Sequence, residues 1–290
     1  MSDYALKVEG LTLDFPRGPR RIVEDLSFTV PEGRTLAIVG SSGSGKTLAS
    51  LAVMGLLPQG IEVTRGEILL DGVNVLELTD EERRRMRNTR IAMVLQNPMS
   101  AFDPIFTIWS HFKETMTSHR DFGSRRAGAD RSEMRAQAVA SLGRVGFEDP
   151  QRILELYPFQ MSGGMLQRVM LALALLDSPP LVIADEATTD LDVVSQAHVL
   201  RLLKEHCREN RLSLLLITHD LSVAAGLADE MVVMDSGRQT ESGTVREIFA
   251  HAESDCARRL LAVHRALYSE RYVRITANLA GRETPREAVR

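Results

Sequence analysis

The stretch "RTLAIVGSSGSGKTLASLAVMGLL", residues 34–57, decides the fold. Its first part, "TLAIV", is apolar on both sides of a two-residue repeat, as in a short strand buried within a sheet. Its last part carries apolar residues at helical spacing and stops before Pro58. Between them lies "GSSGSGKT", residues 40–47, so strand, glycines and helix follow in the order a phosphate-cradling loop requires. In such a loop the backbone N–H groups from Gly43 to Thr47 face a β-phosphate, Lys46 bridges β- and γ-oxygens, and the Thr47 hydroxyl holds Mg²⁺. Gly40, Ser41, Ser42, Ser44 and Gly45 complete the candidate set.

Further along the chain two more apolar strands end in polar residues. "LVIADE", residues 181–186, places Asp185 at the carboxyl end of a buried strand for the Mg²⁺ shell, with Glu186 next to it as the general base for an attacking water. "LSLLLITHD", residues 212–220, offers His219, which would touch a γ-phosphate, although a strand-end histidine taken alone is more often structural. No Asn-Lys-x-Asp element that would read guanine occurs, which favours adenine. In "MSGGMLQRV", residues 161–169, Ser162 is a good helix N-cap, and Gly163 and Gly164 leave backbone N–H groups bare for an anion.

Around these sites the pattern is that of an α/β sheet covered on both sides. "LKVEGLTLDF" and "RIVEDLSFTV" alternate as strands, "GEILLDGVNVLEL" reads as a hairpin turning at Asp71 and Gly72, and "DEMVVMDSGRQTESG" reads as a late strand pair. From about Asp80 to Leu176 the pattern is mostly helical, far more chain than one crossover needs, so a helical subdomain is expected as an insertion at about 97–176. Asp80, Glu81 and Glu82 followed by Arg83, Arg84, Arg85, Arg87 and Arg90 predict a solvated helix face with i,i+4 pairing.

The 290 residues, 44% of them hydrophobic, suffice for one large domain or for one domain plus an insertion. The net charge of −4 lacks the basic face of a general nucleic-acid binder. Cys207 and Cys256 are far apart and without metal-ligand spacing, which argues against a disulfide framework or a zinc site and for a reducing compartment. The N-terminus has no secretory leader pattern, and no stretch reaches the roughly 18 apolar residues of a membrane span. Any membrane role is therefore expected to run through a partner.

Taken in order, the loop 40–47, Gln96 of "LQNP", "SGGM" 162–165, the strand 181–186, "TDLD" 189–192 and His219 resemble the ATP-binding-cassette ATPases over roughly residues 4–265. The resemblance implies a phosphate-loop NTPase fold of the cassette type: a mainly parallel core sheet, an antiparallel β subdomain and an inserted α-helical subdomain. It divides the chain into a nucleotide-binding domain at 1–255 and a short C-terminal helical tail at 256–290. It further implies a head-to-tail pair of such domains with ATP and Mg²⁺ between them. Ser162, Gly163, Gly164, Met165 and Asp192 would then reach the partner's nucleotide in trans, while Gln96 would sense Mg²⁺ as a ligand beside Thr47 and Asp185. Phe15 is the candidate for stacking on adenine, a position equally compatible with core. Met165 stands where many members have glutamine, and Ala187 where proline usually follows the catalytic glutamate.

Within the family, "QNPMSAFDPIFTI", "LYPFQMSGGMLQRVMLALAL" and "IADEATTDLDVVSQA" look most like the dipeptide/oligopeptide/nickel importer branch. The tail starts like that of the peptide type but lacks its proline-rich, cysteine-bearing extension, which favours the nickel or metal–metallophore type over the peptide type. The implied partners are a second, different ATPase subunit, two integral membrane permease subunits and an extracytoplasmic substrate-binding protein, with no nucleic acid. The implied place is the cytoplasmic face of the inner membrane. Phe102, Phe106 and Trp109 are candidates for docking the permease, or equally for subdomain core. A soluble cassette ATPase of repair or translation is the rival class; the coiled coils, tandem cassettes and basic arms of such proteins are not evident in the pattern.

Overall fold

The computed structural model describes residues 3–15, 21–121, 130–187 and 193–267. Strands β1 (Tyr4–Asp14), β2 (Arg21–Pro31) and β3 (Thr35–Gly40) lead into helix α1 (Lys46–Met54). A hairpin of β4 (Glu62–Leu70) and β5 (Val73–Asn74) follows, then α2 (Asp80–Thr89) and β6 (Ile91–Val94). Helices α3 (Ile108–Asp121), α4 (Arg131–Arg144), α5 (Pro150–Glu155) and α6 (Gly163–Ala174) precede β7 (Leu181–Asp185), α7 (Val193–Asn210) and β8 (Ser213–Thr218). The chain continues through α8 (Leu221–Leu227), β9 (Glu230–Asp235), β10 (Arg238–Thr244), α9 (Val245–His251) and α10 (Asp255–Leu267).

The strands form one sheet in the order β5-β4-β1-β2-β10-β9-β3-β8-β7-β6. Strands β9, β3, β8, β7 and β6 run parallel to one another, β5, β4, β1 and β2 are mutually antiparallel, and β10 is antiparallel to β9 and parallel to β2. The two parts join at β10 and β2 through a single paired position, Arg238 with Glu24, whose side chains also form an ion pair of 2.6 Å.

The parallel strands are apolar throughout because they serve two cores at once. Leu36 and Ile38 of β3, Leu181 and Ile183 of β7, and Leu215 and Ile217 of β8 face a core shared with β1, β2, β4 and α1. Ala37 and Val39, Val182 and Ala184, and Leu214 and Leu216 face a second core made with α3 to α10. The period of two sends alternate residues to opposite sides.

The hairpin turn lies at Asp71 (φ 49°) and Gly72 (φ 81°), the left-handed pair that a two-residue turn demands. Its second strand is only two residues long, because Asn74 caps a short 3₁₀ turn at Val75–Glu77 through the Leu76 N–H. The expected helical run contains a strand that the pattern did not reveal. Four residues, Ile91–Val94, are too few for periodicity to separate strand from helix, yet they pair in parallel with β7.

The arginine cluster also departs from expectation. Within α2, Arg83 pairs with Asp80 at i,i+3 and 3.6 Å, and the helix is tied down by its arginines rather than merely solvated. Arg83 donates to the carbonyls of Val75 and Leu76, Arg87 to that of Met54, and Arg90 pairs with Asp71. Helix α10, in the stretch read as a tail, belongs to the second core: Cys256, Ala257 and Leu261 are buried there.

Candidate active site

The loop at 40–47 is shaped by glycines that no other residue could replace without strain. A Cβ at Gly40 would fall 2.2 Å from the Met234 carbonyl oxygen, and one at Gly45 would fall 2.7 Å from the Val23 side chain. Gly43 (φ 77°) and Gly45 (φ 96°) hold left-handed backbone, so the loop turns back over the end of β3 and its N–H groups lead into α1. Lys46 is buried, and its Nζ donates to the carbonyls of Gly40 (3.0 Å) and Ser41 (2.8 Å) and to Ser44 Oγ (3.4 Å). Burial holds the ammonium below its ordinary pKa, a shift that Glu186 and Asp185 oppose.

Strand order brings the second half of the site alongside. β8 lies between β3 and β7, and all three end at the same edge of the sheet. Thr47 Oγ1 donates to Asp185 Oδ1 at 3.2 Å. Asp185 is buried, which pushes its carboxyl up to about 6 against the opposing pull of the Thr47 bond. Glu186 leaves β7 with a left-handed backbone (φ 46°), and its N–H donates to the Ile217 carbonyl at 2.9 Å. That twist turns the carboxylate toward the neighbouring strand end, where Oε1 stands 3.3 Å from His219 Nδ1.

Val94 pairs with Ala184, so Gln96 leaves the sheet beside the point where Glu186 does, and it is exposed there. Thr47, Asp185, Glu186, His219 and the end of β6 thus converge from four strand ends. Oxygen donors of hydroxyl and carboxylate type 3.2 Å apart suit a small hard cation, and Mg²⁺ is bound through just such groups together with phosphate oxygens.

Phe15 follows β1 and is 44% exposed, free of the core. Ser162 caps α6, its Oγ accepting the Met165 N–H at 3.3 Å, and Met165 packs against the second core. Among the described residues no hydrogen bond or ion pair connects 162–165 to 40–47. Asp192 lies outside the described residues.

The family model described as ABC transporter matches residues 23–189, more than half of the chain. This chain belongs to the ABC transporter family. It is 43% identical to the nickel import ATP-binding protein NikD of Rhodospirillum rubrum over 271 residues, 92% of this chain and 98% of that one. The protein of the same name from Brucella abortus is 41% identical over 270 residues, with the same coverage of both chains. Among solved structures the fold is similar to the dimeric ATP-binding cassette MJ0796 in a post-hydrolysis state bound to ADP and Pi, with a TM-score of 0.73 and 25% identity over 83% of this chain and 98% of that one. As an ABC transporter ATPase, the chain binds nucleotide and hydrolyses ATP.

Two features of this ABC transporter ATPase were not foreseen from its sequence. Gln167, buried in α6, donates from Nε2 to the Leu95 carbonyl at 3.3 Å, tying the helix that starts at Ser162 to the residue before Gln96. Its Oε1 is buried without a hydrogen-bond partner among the described residues. The available signal was a glutamine among the apolar, core-facing positions of "MLQRVML". The docking trio also separates. Phe102 and Trp109 are buried in the second core, the second of their two readings, whereas Phe106 is 47% exposed next to Ile105 at 72%. The Ile108 N–H donates to the Leu156 carbonyl, which brings this segment beside the stacked rings of Tyr157 and Phe159. Among the described residues no helix is long and apolar enough to cross a membrane.

Proposed function

We propose that this chain is the ATP-hydrolysing subunit of a binding-protein-dependent importer that takes up nickel, either as the ion or as a metal–chelator complex. The observation that carries the reading is the 43% identity along nearly the whole of a protein named for nickel import. Uptake of peptides remains the alternative within the same branch.

The residues divide the work as follows. The N–H groups and the ammonium of the loop Gly40, Ser41, Ser42, Gly43, Ser44, Gly45, Lys46 and Thr47 bind the phosphates of ATP. Thr47, Asp185 and Gln96 would hold Mg²⁺, whose charge offsets that of the phosphate oxygens. Glu186 accepts a proton from the attacking water, and His219, 3.3 Å from it, orients that carboxylate and touches the γ-phosphate. Phe15 stacks on adenine. Ser162, Gly163, Gly164 and Met165 at the start of α6, together with Asp192, cover the nucleotide held by a second, different ATPase subunit, where the helix dipole favours the phosphate charge.

The exposed side chains of Ile105, Phe106, Tyr157 and Phe159 support contact with two integral membrane permease subunits. A cleft of about 280 Å³ beside Met93, Leu95 and Met170 lies between the sheet edge and the helices and would receive one or two apolar side chains of a permease segment. An extracytoplasmic binding protein would deliver the cargo, and the ATPase would sit on the cytoplasmic face of the inner membrane. Radiolabelled nickel uptake in a strain lacking this chain tests the reading. Loss of uptake, restored by the wild-type chain but not by Glu186→Gln, is expected; unchanged nickel uptake with loss of peptide uptake would assign the alternative.

A further inference from the structure

We propose that His264 is a positioning residue for hydrolysis: acting through Ser222, it holds the start of α8, which directly follows His219, and so keeps His219 against Glu186. His264 lies in the last turn of α10, is 4% exposed, and has Nδ1 3.3 Å from Ser222 Oγ, itself buried. Its ring also meets Phe249 edge-on at 5.9 Å. Ser222 stands in the first turn of α8, three residues after His219. Its N–H donates to Asp220 Oδ1 at 2.7 Å, and the Asp220 N–H donates to Thr218 Oγ1 at 3.0 Å. The backbone on either side of His219 is therefore fixed by a short chain of hydrogen bonds, Thr218 to Asp220 to Ser222, that ends on His264. A seven-residue helix has too few turns to hold its place by its own propensity, so the fixing must come from its neighbours.

The other end of α10 is anchored under the phosphate loop. Arg259 pairs with Asp235 at 3.1 Å, and the N–H groups of Glu253 and Ser254 donate to the Glu241 carboxylate. Cys256 is buried against Met234, the residue whose carbonyl leaves no room for a Cβ at Gly40. One helix thus spans from the floor of the loop that binds phosphate to the turn behind His219. A rigid connection of this kind matters because a small misplacement of a group at the reacting centre slows turnover without weakening substrate binding.

The inference rests on the reading of His219 given above, and the experiment separates the two. Ser222→Ala, His264→Gln, their double variant and His219→Ala are made in the full chain and assayed within the assembled transporter for kcat, KM and ATP affinity. Thermal unfolding checks that each variant folds, and Ser222→Ala, which removes a single oxygen, guards against a folding failure of the histidine variant. Each single variant of the pair is expected to lower kcat by about tenfold with ATP affinity unchanged. The double variant is expected to lose no more than either single one, as for two residues of one bond. Wild-type kcat in Ser222→Ala and His264→Gln, or a loss of ATP affinity equal to the loss of kcat, overturns the inference. If His219→Ala abolishes turnover while the pair variants do not, only the role of His264 fails; if His219→Ala turns over at the wild-type rate, the role of His219 fails and that of His264 with it.

Discussion

Asp185 answers to two opposing demands. Burial favours its neutral form and raises its pKa from 3.8 to about 6, while the Thr47 hydroxyl favours the carboxylate. A carboxyl with a raised folded-state pKa binds more protons folded than unfolded between these two values, so this group's contribution to stability falls as pH rises from about 4 to about 6. Without nucleotide, the protein should melt higher at pH 5 than at pH 7 relative to Asp185→Asn, in which that slope is absent; a parallel pH dependence of the two melting curves would refute the assignment. Next to it, Glu186→Gln should keep ATP affinity and lose at least about a hundredfold in phosphate release, the scale of a general base. Lys46→Ala should act on the earlier step and lower ATP affinity directly, as measured by equilibrium binding.

At the scale of elements the start of α6 carries a sharper expectation. A carboxylate placed there by Gly164→Asp would meet phosphate charge at the helix N-terminus proposed to cover the partner's nucleotide. ATP binding to this subunit should persist while hydrolysis at the partner's site is lost, which single-turnover assays on a complex with one hydrolysis-deficient site can resolve. Ser162→Ala, which removes only the cap, should cost about 1 kcal/mol of stability. Most of this was legible beforehand, because strands buried on both faces and a glycine loop opening a helix leave strong local patterns: β3, β7, β8, α1 and the cap at Ser162 appear where the pattern puts them. β6 was not legible, since four apolar residues carry no period. The tether of Gln167 to Leu95 and the split of Phe102 and Trp109 from Phe106 were equally hidden, because they depend on which side of a helix meets the rest of the molecule.

For the whole molecule, the exposed apolar side chains of Ile105, Phe106, Tyr157 and Phe159 are the ones proposed to meet the permease. Ile105→Glu combined with Phe159→Glu should leave folding and ATP affinity intact but abolish co-purification with the membrane subunits; undiminished recovery would move the docking surface elsewhere. The join between the two parts of the sheet has a different consequence. Hydrogen bonding there narrows to one rung at Arg238 and Glu24, yet the side chains of β1, β2 and β4 lie in the same apolar mass as those of β3, β7, β8 and β9. Cooperativity follows shared burial rather than the ladder: the antiparallel lobe has no interior of its own, and its loss would strip one face of β3, β7, β8 and β9. Heating should therefore produce a single transition for both lobes, with amide protons of Val8 in one and Ile38 in the other becoming exchangeable through the same opening event.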